Sequence, residues 1–241
     1  MTFIRRVVLR AATPALLALA IATGPDRASA QPFPPGGAGA ATNPESPALR
    51  QTQADDYTRY ELLDPASRSF RIVYEVTATT PGAKYFWNPI RKGSTARNES
   101  VADPASGLAL KFVEVSGADA RTNGFGSAEL DTRYLQIELP RPVPKEGEVR
   151  VLIDKTYKDE KSYFIEENTG FLVFSRSLGV KRNAVVLPVG YEVVACNYPS
   201  QVFTEPAPAA AGPKADMRVR MSFMNIGPDA VSYVVKARKV K

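Results

Sequence analysis

One cysteine, one tryptophan and no histidine limit the side-chain chemistry open to this 241-residue chain. Cys196 lies in the run YEVVACNY. Without histidine, a Cys-His or Ser-His relay has no base. A single cysteine cannot close an intramolecular disulfide, and His-and-Cys zinc sites need more ligands than the chain holds. In an extended strand, Glu192, Val194, Cys196 and Tyr198 share one face, and Tyr191, Val193, Ala195 and Asn197 the other. A free cysteine on a mostly apolar strand behaves as a small hydrophobe, so Cys196 is expected in the core.

Carboxylates are the remaining candidates for acid-base work. Asp154 with Asp159, or Glu166 with Glu167, would form the pair a glycoside hydrolase needs. Glu166 and Glu167 are adjacent, so in a strand they point to opposite faces and cannot share a substrate. Asp154, Asp159 and Glu160 could face a calcium ion, yet they lack the alternating spacing of a calcium loop. They are interleaved with Lys155, Lys158 and Lys161, the pattern of a solvated charged connection.

The most site-like stretch is KYFWNPIRKGS, residues 84–94. Tyr85 and Trp87 offer rigid apolar area with a polar handle, and Arg91 and Lys92 follow closely. Such a group can stack on a sugar ring or hold a peptide. The competing expectation is that the same aromatics fill the interior, where aromatic side chains usually go. No cofactor is implied by any motif.

The elements that would position these residues have a period of two. Phe70, Ile72, Tyr74 and Val76 alternate with Arg71, Val73, Glu75 and Thr77. Val149, Val151 and Ile153 alternate with Arg150, Leu152 and Asp154. The same holds for Val219, Met221 and Phe223, and for Val231, Tyr233, Val235 and Ala237. Alternation of this kind marks half-buried strands, and Gly, Pro, Asp and Asn clusters between the runs mark turns. The expected fold is all-β: one antiparallel β-sandwich of nine to twelve short strands over residues 57–241. DPAS occurs at Asp64 and again at Asp103, but Ile72 then aligns with Lys111 and Arg71 with Leu110. Opposed pleat phases exclude a duplicated unit; two similar Asp-Pro turns are expected instead.

The ends read differently. A basic start with Arg5 and Arg6, an apolar stretch interrupted by Pro14, and Ala-Ser-Ala before Gln31 form a secretory signal peptide over 1–30, cut between Ala30 and Gln31. The Sec route is favoured, and the paired arginines leave the twin-arginine route open. Residues 1–30 hold four of the 31 basic and one of the 25 acidic residues, so their removal lowers the net charge from +6 to +3. A charge of that size with both signs interspersed argues against a nucleic-acid partner. No span of the mature chain reads as a membrane segment. Residues 31–56, rich in Pro, Gly and Ala, are expected to be a flexible linker, and 205–216 (EPAPAAAGPKAD) a mobile loop.

YELLDPASRSFRIVYEVT resembles the first strands, and LPVGYEVV followed by CNYP the late strands, of the amino-terminal β-domain of M1-type (gluzincin) aminopeptidases. The resemblance would extend over about 57–238. It implies a relative of a non-catalytic domain, since the family's His-Glu-x-x-His zinc motif is absent. No functional residue carries over. The expected protein is therefore an exported, non-enzymatic β-sandwich that binds an envelope protein or a glycan. A carboxylate-dependent carbohydrate-active enzyme and a structural subunit of an envelope assembly are the alternatives.

Overall fold

The computed structural model describes residues 56–208 and 216–240. The expected signal peptide, its cut at Ala30–Gln31, linker residues 31–55 and loop residues 209–215 lie outside them. Fourteen strands are present among the described residues: β1 (Tyr57–Leu62), β2 (Ser69–Ala78), β3 (Tyr85–Ile90), β4 (Thr95–Ala102), β5 (Phe112–Ser116), β6 (Arg133–Glu138), β7 (Val149–Lys158), β8 (Tyr163–Ile165), β9 (Leu172–Leu178), β10 (Arg182–Val186), β11 (Tyr191–Cys196), β12 (Gln201–Pro206), β13 (Met217–Met224) and β14 (Val231–Lys239). One short helix, α1 (Gly117–Thr122), lies between β5 and β6. The number exceeds nine to twelve because pieces as short as Tyr163–Ile165 carry too few residues to show a period.

The strands form three sheets. The largest has the order β12-β13-β10-β1-β2-β7-β4, and the others are β11-β14-β9-β8 and β3-β6-β5. Pairing is antiparallel apart from the parallel pair of β1 with β10. The two smaller sheets cover the same face of the large one, side by side. Along β2, Phe70 and Ile72 enter a core with Tyr60, Phe174, Met221 and Tyr233, while Val76 and Ala78 enter a second with Ile90, Leu135, Ile137 and Val151. β7 divides in the same way, with Tyr157 in the first core and Val149, Val151 and Ile153 in the second. The alternation expected for β7, β13 and β14 is the alternation found, and that of β2 holds from Phe70 to Ile72 but ends in a run of three buried residues, Val76, Thr77 and Ala78. In the first core Phe70 meets Phe174 edge-on at 5.4 Å and 83°, a geometry favoured by ring quadrupoles.

The two DPAS segments are turns of one design. Asp64 Oδ1 accepts from Ala66 N at 2.8 Å, and Asp103 Oδ1 from Ala105 N at 3.0 Å. Each is followed by a left-handed residue, Arg68 (φ 50°) or Gly107 (φ 72°). Gly117 is required for another reason: a Cβ there would lie 1.9 Å from Glu129 O.

Three expectations are corrected in detail. Asp56, assigned to the linker, is docked, its Oδ1 accepting from Thr77 N at 2.9 Å. Burial pushes its carboxyl up to about 6. Glu205 and Pro206, assigned to the loop, end strand β12. Cys196 is half-buried, not enclosed. A β-bulge between Val193 and Ala195 inserts a residue into β11, so Val193 and Cys196, expected on opposite faces, both pack against the first core.

Candidate functional site

The expected aromatic-basic site does not assemble as one cluster. Tyr85 and Trp87 are neighbours on the outer face of β3, ring centroids 6.2 Å apart. Trp87 is half-buried, stacked on Phe125 at 5.6 Å and 7° beside α1. Tyr85 is 41% exposed and lines a small cleft of about 240 Å³ with Lys111, Phe112 and Gln136. Lys92 pairs with Asp131 at 2.6 Å, and that hydrogen bond raises its ammonium pKa. Arg91 is exposed, and its charge acts on Asp159 and Arg176 instead.

Four of the five expected acids are paired with bases, and Glu167 is exposed. Asp154 is bound by Arg71, Glu160 by Arg68, and Glu166 by Lys236. Asp159 lies at the junction of the three sheets and is buried with Arg176, Nη1 to Oδ2 3.0 Å. Ser162 donates to it from N (3.1 Å) and Oγ (2.7 Å), Lys161 from N (3.2 Å) and Ser94 from Oγ (3.3 Å). Burial opposes ionisation of Asp159, but the Ser162 hydrogen bonds and the Arg176 charge prevail and hold its carboxyl below the usual range. The Arg176 guanidinium lies over Phe70 (5.2 Å), Tyr157 (5.6 Å) and Tyr60 (5.9 Å), an arrangement that suits its weakly hydrated plane. Next to it, Lys155 is 4% exposed and donates to Asn88 Oδ1 across to β3. Burial pushes its ammonium down to about 8, with the Arg176 charge adding to the shift and that of Glu99 opposing it. This seam joins sheets, and its carboxylate is saturated with donors from the protein.

An open region lies at the other end of the first core. β11 and β12 are edge strands of their sheets, linked by a crossing of Asn197 to Ser200. Asn197 ends the pairing with β14 through its side chain, donating to Ser232 O at 2.8 Å and accepting from Val234 N at 2.7 Å. Between the edges runs a cleft of about 470 Å³ lined by Val193, Cys196, Tyr198, Val202 and Met221. Cys196 Sγ donates to Tyr198 O at 3.2 Å within its wall. A second cleft of about 640 Å³, with Tyr57, Gln201 and Met224, shares Pro199 and Ser200 with it. Beneath, Tyr198 contacts Phe223 at 5.2 Å, and Phe223 stacks on Tyr233 at 4.4 Å and 8°. Val202 is 61% and Phe203 40% exposed.

The outer face beside β12 is a lattice of charges. Glu205 accepts hydrogen bonds from Arg59 and from Arg218 at 2.9 Å, and Glu61 accepts from Arg59 at 2.7 Å and Arg71 at 3.3 Å. Arg220 lies 4.8 Å over the Phe203 ring and 3.6 Å from Glu205. Sequence reasoning missed Val202, Phe203 and Arg220. The signal was the β-favouring run QVFT just before the proline-rich segment, obscured by the loop composition that follows.

Among the described residues no group of three or more Cys, Asp or Glu could hold a metal ion, and no helix is long and apolar enough to cross a membrane. No family model and no curated protein matches the chain. Solved structures similar to it include an aminopeptidase N family protein from Idiomarina loihiensis, at 12% identity and TM-score 0.41, covering 76% of this chain and 29% of that one. An M1 zinc metallopeptidase from Deinococcus radiodurans gives 9% identity and TM-score 0.45, covering 76% and 40%. A suggested nutrient-binding protein from Legionella pneumophila gives 9% and 0.36, covering 75% and 65%. This chain spans less than half the length of either M1-type chain. Likeness this remote assigns no activity.

Proposed function

We propose that the chain is an exported, non-catalytic β-domain that binds an envelope or extracellular protein through the open edge between β11 and β12. The observation that carries this reading is the exposure of Val202 and Phe203 on an edge strand beside an apolar cleft. Exposed edges of this kind favour association, and proteins that do not use them usually cover or charge them. Of the carboxylates that could have served a hydrolase, Asp154, Asp159 and Glu166 are engaged by Arg71, Arg176 and Lys236, which favours binding over catalysis. A second reading, glycan binding, rests on exposed Tyr85 and the polar side chains around it.

Photo-cross-linking in living cells tests the reading, with the reactive group placed in turn at Val202, Tyr85 and the remote, exposed Leu108. A single product from Val202 is expected, together with a mature amino terminus at Gln31. A product from Tyr85 alone would move the site to β3. Absence of any product at all three positions would sink the protein-binding reading.

A further inference from the structure

Backbone polarity along β12 follows from two hydrogen bonds. Leu187 N donates to Val219 O at 2.8 Å, so Val219 turns its peptide groups toward β10. In an antiparallel ladder neighbouring residues turn theirs the opposite way, so Arg218 and Arg220 face β12. Ala207 N donates to Asp216 O at 2.7 Å, which has the same parity. Phe203 and Glu205, opposite Arg220 and Arg218, are therefore engaged with β13. Val202 and Thr204 direct their N–H and C=O groups outward, and Pro206 contributes a carbonyl only.

The side chains flanking this outward row differ on its two faces. On the inner face, Val202 stands over the cleft with Val193, Cys196 and Met221. On the outer face, Arg220 covers Phe203. The hydrogen bonds to Glu205 come from Arg59 and Arg218, while Arg220 stands 3.6 Å away with Nε buried and without a hydrogen-bond partner. The lattice holds Arg59, Arg71, Arg218 and Arg220 against Glu61, Glu205 and Asp154, an excess of positive charge.

Resting on the binding role proposed above, we infer that the partner enters as an extended peptide that pairs with Val202 and Thr204 as an added strand, its residues alternating apolar and acidic. Apolar side chains lie in the cleft, and the acidic ones face Arg220, whose planar fork suits a carboxylate. Pro206 ends the frame, so the paired segment is short.

The test uses the full chain, isotope-labelled, with a capped seven-residue probe of alternating valine and glutamate. Lysine-for-glutamate and backbone N-methylated versions are the controls. With the glutamate probe, amide exchange at Val202 and Thr204 slows about tenfold or more, while Phe203 and Glu205, already paired, change little. The lysine probe binds about tenfold more weakly, and Arg220→Gln removes that preference. N-methylation of the probe abolishes the protection without altering the protein. Binding that leaves Val202 and Thr204 unprotected overturns the inference, as does failure of the glutamate probe to bind at millimolar concentration. Protection that grows with protein concentration in the absence of probe would make a second copy the occupant and equally overturn it. If the probe fails while cross-linking through Val202 in cells persists, strand pairing falls and the binding role stands.

Discussion

At the junction of the three sheets, Asp159, Arg176 and Lys155 are buried among aromatic rings, and Asp159 is saturated by Ser162, Lys161, Ser94 and Arg176. At β12, Val202 is exposed over an open cleft, and Phe203 is exposed on the opposite face beside Arg220. The seam carries perturbed titration, which often marks a functional site. Here Asp159 and Arg176 are engaged with each other, and removing either partner destabilises the fold. The edge carries ordinary side chains, yet among the described residues no strand pairs with the outer side of β12 and Val202 stays exposed. Availability separates the two regions more sharply than unusual chemistry does.

The largest expected effect is at the seam. Arg176→Met leaves Asp159 buried without its cation and should cost about 3–5 kcal/mol in urea unfolding. A loss below about 1 kcal/mol would mean that the seam is not structural.

Lys155 provides a pH test with a definite sign. Its folded pKa is depressed to about 8 from 10.5, so between these values the unfolded chain binds more protons and stability rises with pH. The rise is at most about 3 kcal/mol. Lys155→Met should abolish it and leave the protein at least as stable at pH 7. An unchanged slope in that variant would assign the effect elsewhere.

Asp56 behaves in the opposite sense and more weakly. Its folded pKa of about 6 lies above the ordinary 3.8, so stability is lost as pH rises from about 4 to 6. Water still reaches it, and about 1 kcal/mol is expected. Asp56→Asn should flatten that part of the curve.

At the edge, Val202→Asp should change stability by no more than about 0.5 kcal/mol and still eliminate partner capture. A large loss of stability would make Val202 part of the core and blur the contrast. The smallest effect concerns Cys196: a thiol reagent should label it more slowly than in the unfolded chain, and bound probe should slow labelling further. Labelling indifferent to the probe would place the partner away from the cleft.

Much of the interior was legible because burial follows the pleat. Phe70, Ile72 and Val76, or Val149, Val151 and Ile153, declare their face through alternation. The Asp64 and Asp103 turns were legible because side chain and backbone interact within three residues. Cys196 was misplaced because a bulge shifts the phase by one residue, and nothing in YEVVACNY marks it. The scattered acids read as a charged connection, but their partners were hidden: Asp159 and Arg176 are 17 positions apart, and Arg59 and Glu205 are 146.

Composition and alternation thus determine an all-β chain, the faces of its strands and the absence of a histidine-based relay. These properties depend on residue type or near neighbours. Folding in three dimensions determines which face of the large sheet is covered twice, that Lys155 and Asp159 fall at the junction, and that β12 is left at an edge. The period of two specifies where a side chain points but not which strand lies beside it. That choice is made by pairings between distant segments, and it is the choice that leaves Val202 and Thr204 facing outward.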